Sequence, residues 1–439
     1  MNVPFSLLVF FLIAASIHAS TKSDVRERVE AEYSYLEKLY RHLHANPELS
    51  FMERETSERM AQELEKLDFT VTRKVGGHGV VGLLKNGKGP TIMLRCDMDG
   101  LPVEEKTGLP FASKKQMRDE SGKTVPTMHA CGHDIHMTSA IGTVRVLSSL
   151  MQHWKGTLMF IAQPAEERGG GARAMLSDGL FERFALPDKV IALHVHSGMP
   201  AGTIGYTPGF ALANVDSVDI KIFGVGGHGA YPQATKDPIV LAAQTILSLQ
   251  TIVSREIAPI EPGVITVGSI HGGTKHNVIP GEVDLQLTVR SYKDEVRDQL
   301  LAGIKRITIG HAKTAGLPED KLPIIKVKEN YTPATYNNPE LMHRLVAVFD
   351  DWLGKGTCIE RPSQMGGEDF GRYGRTEHKV PICIYWLGAA SPASVKRALQ
   401  TGGTLPSLHS PIFAPDAEHT IKTGVTATVA GLLDLFANP

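Results

Sequence analysis

Hydrophobic and polar residues follow two different patterns along the chain. Up to about residue 200, apolar runs such as TIMLRC, TLMFIAQ and KVIALHV are separated by segments with helical spacing, one of them over about 135–153. Near-continuous apolar strands that alternate with helices are typical of a largely parallel sheet covered by helices on both faces. This part of the chain is predicted to form an α/β domain.

A helix start is predicted at residues 50–53, where the letters SFME place Ser50 three residues before Glu53. A serine followed at that distance by a glutamate is the capping-box pattern. Apolar residues then recur at helical spacing through Leu67, which predicts a helix with one buried side.

From about residue 210 the pattern changes to strict alternation, as in SVDIKI, with helical segments over about 237–255 and 293–310. The order strand, helix, strand, strand, helix, strand is that of a ferredoxin-like unit. We predict an inserted domain over 210–329, with 20–209 and 330–439 forming the two parts of the large domain. An edge strand of the inserted sheet needs covering, which favours a homodimer.

The first 19 residues form an apolar run that ends in small residues, which predicts a secretory signal peptide over 1–19. Export to the periplasm or the medium would follow, and an uncleaved membrane anchor is the alternative because no Lys or Arg precedes the run. Export permits disulfides. A bridge between Cys358 and Cys383 is compatible with the sequence, although buried free thiols are favoured.

The net charge of −1 over 439 residues excludes a global field that would attract nucleic acid or an anionic membrane. A small-molecule partner fits this balance better. The length indicates two or three domains.

Metal-competent side chains cluster in the ten residues MHACGHDIHM at 128–137 and at the ends of predicted strands. Since ligands of open α/β sheets gather at the carboxyl ends of strands, these groups are expected to meet. Each also has a structural interpretation: adjacent glutamates are often solvated, and a lone histidine is often a core residue. These strand-end residues are Asp97, Asp99, Glu166, Glu167, His194 and His196.

Motifs of other kinds of site lack the neighbouring residues that those sites require. Gly224, Gly226 and Gly229 follow a strand, but Pro232 stands where a dinucleotide-binding helix would open. The chain has neither a phosphate-loop Lys-Ser/Thr after its glycines nor a second Cys/His pair at zinc-finger spacing.

Eight motifs in order identify a family resemblance. The chain resembles the aminoacylase/carboxypeptidase family of co-catalytic metallopeptidases from about residue 30 to 436, and within it the branch of hippurate hydrolases and auxin-amino-acid conjugate hydrolases. That resemblance implies a large zinc-peptidase-like domain and an inserted lid/dimerisation domain. The motifs are RCDMDGLP, MHACGHDIHM, AQPAEERGGGA, ALHVH, GGHGAYPQATKDPI, HGGTKHNVIPG, MGGEDF and LHSPIF.

The resemblance also assigns roles. Two divalent metal ions, zinc or manganese, would share five ligands, with a bridging thiolate at Cys131 and with Glu166 as the general base. Asp97 would orient a ligand, and Arg95 occupies a position where other branches carry a metal-binding histidine. The implied ligands are Cys131, His133, Glu167, His194 and His409, and the implied substrate-binding residues are His228, Asn277 and Arg290.

The expected activity is hydrolysis of the amide bond of an N-acyl amino acid or a short peptide. A narrow carboxypeptidase or dipeptidase is the nearest alternative. A catalytically silent protein that binds acyl amino acids is the alternative from another class, and the glutamate expected to act as a base argues against it.

Overall fold

The computed structural model describes the backbone of residues 5–439 and the side chains of residues 21–439. The signal peptide predicted over 1–19 lies outside the residues whose side chains are described. In the described part of the chain, no helix is long and apolar enough to cross a membrane. All four cysteines are free thiols, so the Cys358 to Cys383 bridge is not formed.

Helices and strands are interspersed along the chain. The α-helices are α1 Phe5–Ala45, α2 Arg54–Glu65, α3 His133–Ser149, α4 Gly171–Ser177, α5 Leu180–Arg183, α6 Pro238–Thr251, α7 Asp294–Thr314, α8 Pro339–Leu353, α9 Gly371–Gly374, α10 Pro392–Thr401 and α11 Ala417–Ala437. The strands are β1 Thr70–Val75, β2 Gly79–Asn86, β3 Thr91–Asp97, β4 Gln116–Arg118, β5 Thr124–Pro126, β6 Gly156–Gln163, β7 Lys189–Pro200, β8 Ile204–Tyr206, β9 Gly209–Leu212, β10 Asn214–Phe223, β11 Gly227–His228, β12 Gly263–Gly272, β13 Val278–Ile279, β14 Glu282–Ser291, β15 Ile324–Val327, β16 Thr335–Asn337, β17 Cys358–Glu360 and β18 Ile382–Ala390.

The chain divides into two compact units. The first runs to residue 209 and resumes at 336–362 and 372–439, and the second comprises 210–335 and 363–371. The second unit is thus longer than the 210–329 expected from the sequence. Backbone hydrogen bonds explain the difference, because Thr332 pairs with Val215 and the amide of Gln364 donates to the carbonyl of Ala211.

An eight-stranded sheet forms the centre of the first unit, in the order β1-β2-β6-β3-β7-β18-β8-β17. Its four middle strands β6, β3, β7 and β18 are parallel. Every residue of β18 is buried, as expected for a strand covered on both faces. The predicted α/β sheet is confirmed.

Helices pack on both faces of this sheet. Gly79 and Gly82 of β2 point to opposite faces, and a Cβ at each would touch Met175 of α4 and Leu64 of α2, respectively. The main core lies between the sheet and helices α1, α3, α8 and α11.

The second unit has a four-stranded antiparallel sheet in the order β12-β14-β10-β15, with α6 and α7 packed against it. This is the strand and helix order that the sequence predicts for a ferredoxin-like unit. Alternate residues of β10 and β14 point into a separate apolar core.

The predicted capping box at 50–53 is wrong. Helix α2 begins at Arg54, and neither side chain caps it. The hydroxyl of Ser50 donates instead to Asp99 at 2.6 Å, and Glu53 accepts the amide of Ala165 at 2.7 Å. Both side chains therefore form hydrogen bonds with loops at the end of the sheet. A local helix pattern contains no information about such contacts.

Candidate metal centre

The segment that carries Cys131 and His133 turns sharply before α3. Gly132 between them has φ of +79°, a left-handed conformation that favours glycine. A Cβ at this position would lie 2.5 Å from a methyl carbon of Val195. Glycine thus lets the turn approach β7 closely, so that the thiol and the imidazole reach the end of the sheet.

The five residues predicted as ligands are brought together by separate parts of the fold. Two groups of donor atoms, each within 4.8 Å of one another, share the thiol of Cys131. The Sγ atom of Cys131 lies 3.6 Å from Nε2 of His194, and Oε1 of Glu167 lies 3.5 Å from Nε2 of His409. The groups are Cys131, His133 and His194, and Cys131, Glu167 and His409.

Polar atoms left without partners indicate that the cluster is built for cations. Both ring nitrogens of His133 and Oε1 of Glu167 are buried and make no hydrogen bond. Such orphaned groups are costly unless something else satisfies them. Burial alone would lower the pKa of His133, but the charges of Asp97 and Asp99 raise it to about 10, so this position strongly attracts positive charge. The residues present therefore fit bound metal ions.

Asp97 lies next to the cluster, and each of its carboxylate oxygens accepts a hydrogen bond. One carboxylate oxygen accepts a hydrogen bond from Arg95 at 2.6 Å, and the other accepts Nδ1–H of His136 at 2.6 Å. Nε2 of His136 accepts the amide of Val195 at 2.9 Å, so both of its nitrogens are engaged. Burial alone would raise the pKa of Asp97, but Arg95 and the histidines hold it well below the usual value. The expected ligand-orienting role of Asp97 suits this position, 3.8 Å from His133.

Glu166 and Glu167 follow β6 on a loop that another carboxylate fixes. The backbone amides of both residues donate to Asp99, at 3.1 and 3.0 Å. Ala165 before them has φ of +52°, a strained conformation for a residue with a side chain. The loop is thus shaped so that Oε2 of Glu166 lies 3.9 Å from Nε2 of His133. Glu166 is buried, with 8% of its surface exposed.

Asp99 and Glu53 hold the loop of the two glutamates, a role that the sequence analysis did not predict: it listed Asp99 only as a metal-competent strand-end residue and Glu53 only as part of a capping box. Asp99 stands two residues after Asp97 at the end of β3, and that spacing was the available signal. Burial and the charge of Asp99 raise the pKa of Glu53 to about 8. Both carboxyl groups accept hydrogen bonds from backbone amides of the loop that carries Glu166 and Glu167. Neither group belongs to the predicted ligand set.

Asp134, the residue after His133, belongs to a buried ion-pair network. It contacts Nδ1 of His44 at 2.7 Å, and Nε2 of the same ring lies 2.9 Å from Glu105. Burial alone would lower the pKa of His44, but hydrogen bonds to both carboxylates raise it to about 10. The network joins α1 to the first turn of α3, the turn that presents His133.

His409 reaches the cluster from a loop near α11. Its φ of +64° is strained for a histidine, and its amide donates to the carbonyl of Ala130 at 2.9 Å. The loop is therefore tied to the segment that carries Cys131. Nothing in the spacing around His409 signalled this position, and only the family resemblance did.

The predicted substrate-binding residues all lie in the second unit. The amide of Gly229 next to His228 donates to the carbonyl of Asn277 at 2.8 Å, which places these two residues side by side and exposed. Arg290 is on β14, where its guanidinium donates to Thr288 and to the carbonyl of Met365. Burial lowers the pKa of Arg290.

The first unit combines a sheet covered by helices with thiolate, imidazole and carboxylate donors near the strand ends, and a second glutamate lies beside them. This combination is typical of a metal-dependent hydrolase. The family model of Peptidase family M20/M25/M40 matches residues 93–398. The chain belongs to this family, so the resemblance found in the sequence is confirmed.

Named relatives cover most of the chain. The hippurate hydrolase of Campylobacter jejuni is 38% identical over 341 residues, which is 76% of this chain and 84% of that one. Thermostable carboxypeptidase 1 of Saccharolobus solfataricus is 33% identical over 410 residues, 92% of this chain and 95% of that one. The crystal structure of the Bacillus subtilis YXEP protein, described as a dinuclear metal-binding peptidase of the M20 family, is 29% identical with a TM-score of 0.75 and covers 93% of this chain and 100% of that one.

Proposed function

We propose that the protein is a metal-dependent amidohydrolase that splits N-acyl amino acids into a carboxylic acid and a free amino acid. The observation that carries this proposal is the pair Glu166 and Glu167. Glu167 joins a donor group with Cys131 and His409, and its neighbour Glu166 lies 3.9 Å from His133. One loop thus offers a ligand and a base together.

The ligands proposed for two divalent ions are Cys131, His133, Glu167, His194 and His409. Bound ions of this kind acidify water and polarise a carbonyl group. Glu166 is placed to accept the proton of the attacking water on its carboxylate and to deliver it to the leaving amine. Asp99 holds the amide of Glu166, so the base keeps its position during both transfers.

The substrate class follows from the relatives. One is named for hippurate, an N-acyl amino acid, and another is named a carboxypeptidase. Both reactions break an amide bond beside a free carboxylate, and we propose that Arg290, Asn277 and His228 contact that end of the substrate or the carbonyl oxygen. Short peptides are therefore the second candidate substrates.

The nature of the metal is open to direct measurement. Thiolate and imidazole donors favour zinc, whereas a carboxylate-containing pair also accepts manganese. Metal analysis of purified protein should find two equivalents of a divalent transition metal. Cys131→Ala should lose part of this metal, and metal content unchanged by Cys131→Ala would contradict the proposed ligand set.

The test of function is release of amino acid from acetyl, benzoyl, fatty-acyl and indole-acetyl conjugates and from dipeptides, with metal-stripped protein restored by zinc or manganese. Glu166→Gln should lower turnover by about 100-fold or more while metal binding is retained. The matched control is Glu377→Gln, which changes an exposed glutamate with 87% of its side chain accessible. Full activity of Glu166→Gln would refute the assigned base, and metal-loaded wild-type protein that cleaves no substrate would favour the silent binding protein.

We propose that the chain is exported after cleavage behind Ala19, as its apolar first segment predicts. Mass spectrometry of the protein recovered from its native host should give a mature form that begins at Ser20. A chain that keeps residues 1–19 would support the uncleaved anchor.

We propose a homodimer that forms through the second unit. Strand β12 is the edge of its four-stranded sheet, and Ile270 on that strand is 49% exposed. An exposed apolar edge strand is a surface that proteins pair or cover. Sedimentation equilibrium should give twice the chain mass, and Ile270→Lys should lower that mass. A wild-type monomer at micromolar concentration would contradict the proposal.

A further inference from the structure

His136 lies among the proposed ligands without belonging to them. It stands on α3, and its ring centroid lies 5.2 Å from that of His133 and 4.5 Å from that of His194. Donor atoms of Asp97, His133 and His136 are close enough together to hold an ion. Both nitrogens of His136, however, already form hydrogen bonds within the protein. This buried ring therefore acts in another way than as a ligand.

The backbone of Val195 lies where two strands separate. Parallel pairing between β3 and β7 ends at Arg95 and Ala192, before β7 reaches Val195. The amide and the carbonyl of Val195 thus have no partner in β3, although the residue is fully buried. Buried backbone groups need hydrogen bonds, and here two histidine rings supply them.

Each of the two rings bonds to one of these backbone groups. The amide of Val195 donates to Nε2 of His136 at 2.9 Å. The carbonyl of Val195 lies 2.8 Å from Nδ1 of His194, and because a carbonyl can only accept, His194 carries its proton on Nδ1. The lone pair of His194 is therefore on Nε2, the nitrogen that lies 3.6 Å from the thiol of Cys131. The backbone of Val195 thus fixes which nitrogen of His194 can bind a metal.

The ring of His136 is itself held from its other side. Because its Nε2 accepts a hydrogen bond, its proton is on Nδ1, which donates to Asp97 at 2.6 Å. Asp97 also accepts from Arg95, whose Nε donates to Gln163 at 3.1 Å. The side chains of Arg95 and Asp97 are fully buried, so water does not compete for these bonds. A continuous series of hydrogen bonds therefore runs from Arg95 to the backbone beside His194.

We infer that His136 is a positioning residue, which holds the backbone of Val195 so that His194 presents Nε2 to a bound metal ion. The inference rests on the proposed metal-dependent function and assigns a role to a residue outside the predicted ligand set. His136 contributes an acceptor at Nε2, and Asp97 keeps that acceptor in place through Nδ1. Removal of such an outer partner typically lowers metal affinity or activity about 10- to 100-fold.

The first test measures the protonation of the rings in the wild type. Nitrogen NMR of metal-free protein with isotope-labelled histidine, at neutral pH, should show His194 and His136 with the proton on Nδ1. The two signals are assigned from their loss in His194→Gln and His136→Gln. A proton on Nε2 of His194 would overturn the inference, because the carbonyl of Val195 would then not fix the ring.

The second test separates the acceptor of His136 from the bulk of its ring. The side-chain oxygen of Gln can accept the amide of Val195, whereas Leu fills similar space and accepts nothing. In a zinc titration of the full chain, His136→Leu should bind metal about 10- to 100-fold more weakly, and His136→Gln should stay within about 3-fold of the wild type. The absorption spectrum of the cobalt-loaded protein should change in His136→Leu and not in His136→Gln, because it reports the geometry of the ligands.

The matched control is His311→Leu, which removes a ring that bonds to Ser248 at 2.8 Å in the second unit and should leave zinc affinity unchanged. Zinc affinity in His136→Gln as low as in His136→Leu would overturn the inference, and so would wild-type affinity in His136→Leu. Where a variant does not fold, the ring NMR of the wild type still decides. A wild type that gives the expected NMR and metal results but cleaves no conjugate would refute the proposed function and leave the positioning role intact.

Discussion

The buried His44 network offers a test of how the protein stabilises its donor cluster. His44→Phe keeps a ring in contact with Tyr40 and Phe111, whose ring centroids lie 5.5 and 5.2 Å from that of His44. The substitution removes the positive charge and leaves Asp134 and Glu105 unpaired in the interior. Breaking a buried ion pair by removal of one partner costs about 3–5 kcal/mol.

The pKa of His44 gives a second route to this magnitude. A rise from 6.5 to about 10 corresponds, at 1.36 kcal/mol per pKa unit, to about 4 kcal/mol of stability at pH 7. Because the folded-state pKa is the higher one, this stability is fully present below pH 6.5 and is lost as the pH rises through 10. The two routes agree.

The assay is urea unfolding between pH 6 and 10, followed by tryptophan fluorescence. The three tryptophans all lie in the first unit, so the signal reports on the unit that contains the network. His42→Phe, at an exposed position on the same helix, is the control and should change the free energy of unfolding by less than about 0.5 kcal/mol. The tryptophans are Trp154, Trp352 and Trp386.

The wild type should exceed His44→Phe by about 4 kcal/mol at pH 7, and this difference should shrink steadily towards pH 10. A difference that is constant over this range would show that His44 is neutral in the folded protein and would refute the reasoning. So would a loss no larger than that of His42→Phe.

Three further predictions concern the donor cluster. Arg95→Met leaves a buried carboxylate without its cation and should lower the free energy of unfolding by about 3–5 kcal/mol in urea, and a loss below 1 kcal/mol would contradict the ion pair. Gly132→Ala should weaken zinc binding about 10-fold or more in a metal titration, whereas Gly122→Ala, with the same left-handed backbone but open space around it, should leave affinity unchanged. Chelation should lower the melting temperature of the wild type reversibly, since metal that binds at 100 times its Kd adds about 2.7 kcal/mol, and Cys131→Ala should respond less.

Most of the fold could be predicted from the sequence because its strands have unambiguous patterns. Strand β18 is apolar throughout and is buried on both faces, whereas β10 alternates and covers one core. The start of α2 was predicted wrongly because Ser50 and Glu53 satisfy loops that are distant in sequence, and long-range hydrogen bonds leave no local periodicity.

The convergence of candidate donors could be predicted where such residues are crowded, as around Cys131 and His133, and at strand ends, as for Glu167. The supporting groups were not. His44 is an ordinary helix residue in the sequence, and its importance arises from contacts with Asp134 and Glu105, 90 and 61 residues away. The sequence places Asp99 at a strand end, but it does not indicate that its carboxylate accepts the backbone amides of Glu166 and Glu167.

The order of the proposed ligands along the chain has a consequence for how the protein would acquire metal during synthesis. Four of them, from Cys131 to His194, precede the second unit, and His409 follows it. A growing chain therefore exposes an incomplete set of donors for the whole time in which the second unit is being made. Any ion captured early would be held by the first four ligands alone. Full coordination by the proposed ligand set would begin only after the second unit has been synthesised, because His409 is the last of the five to be added.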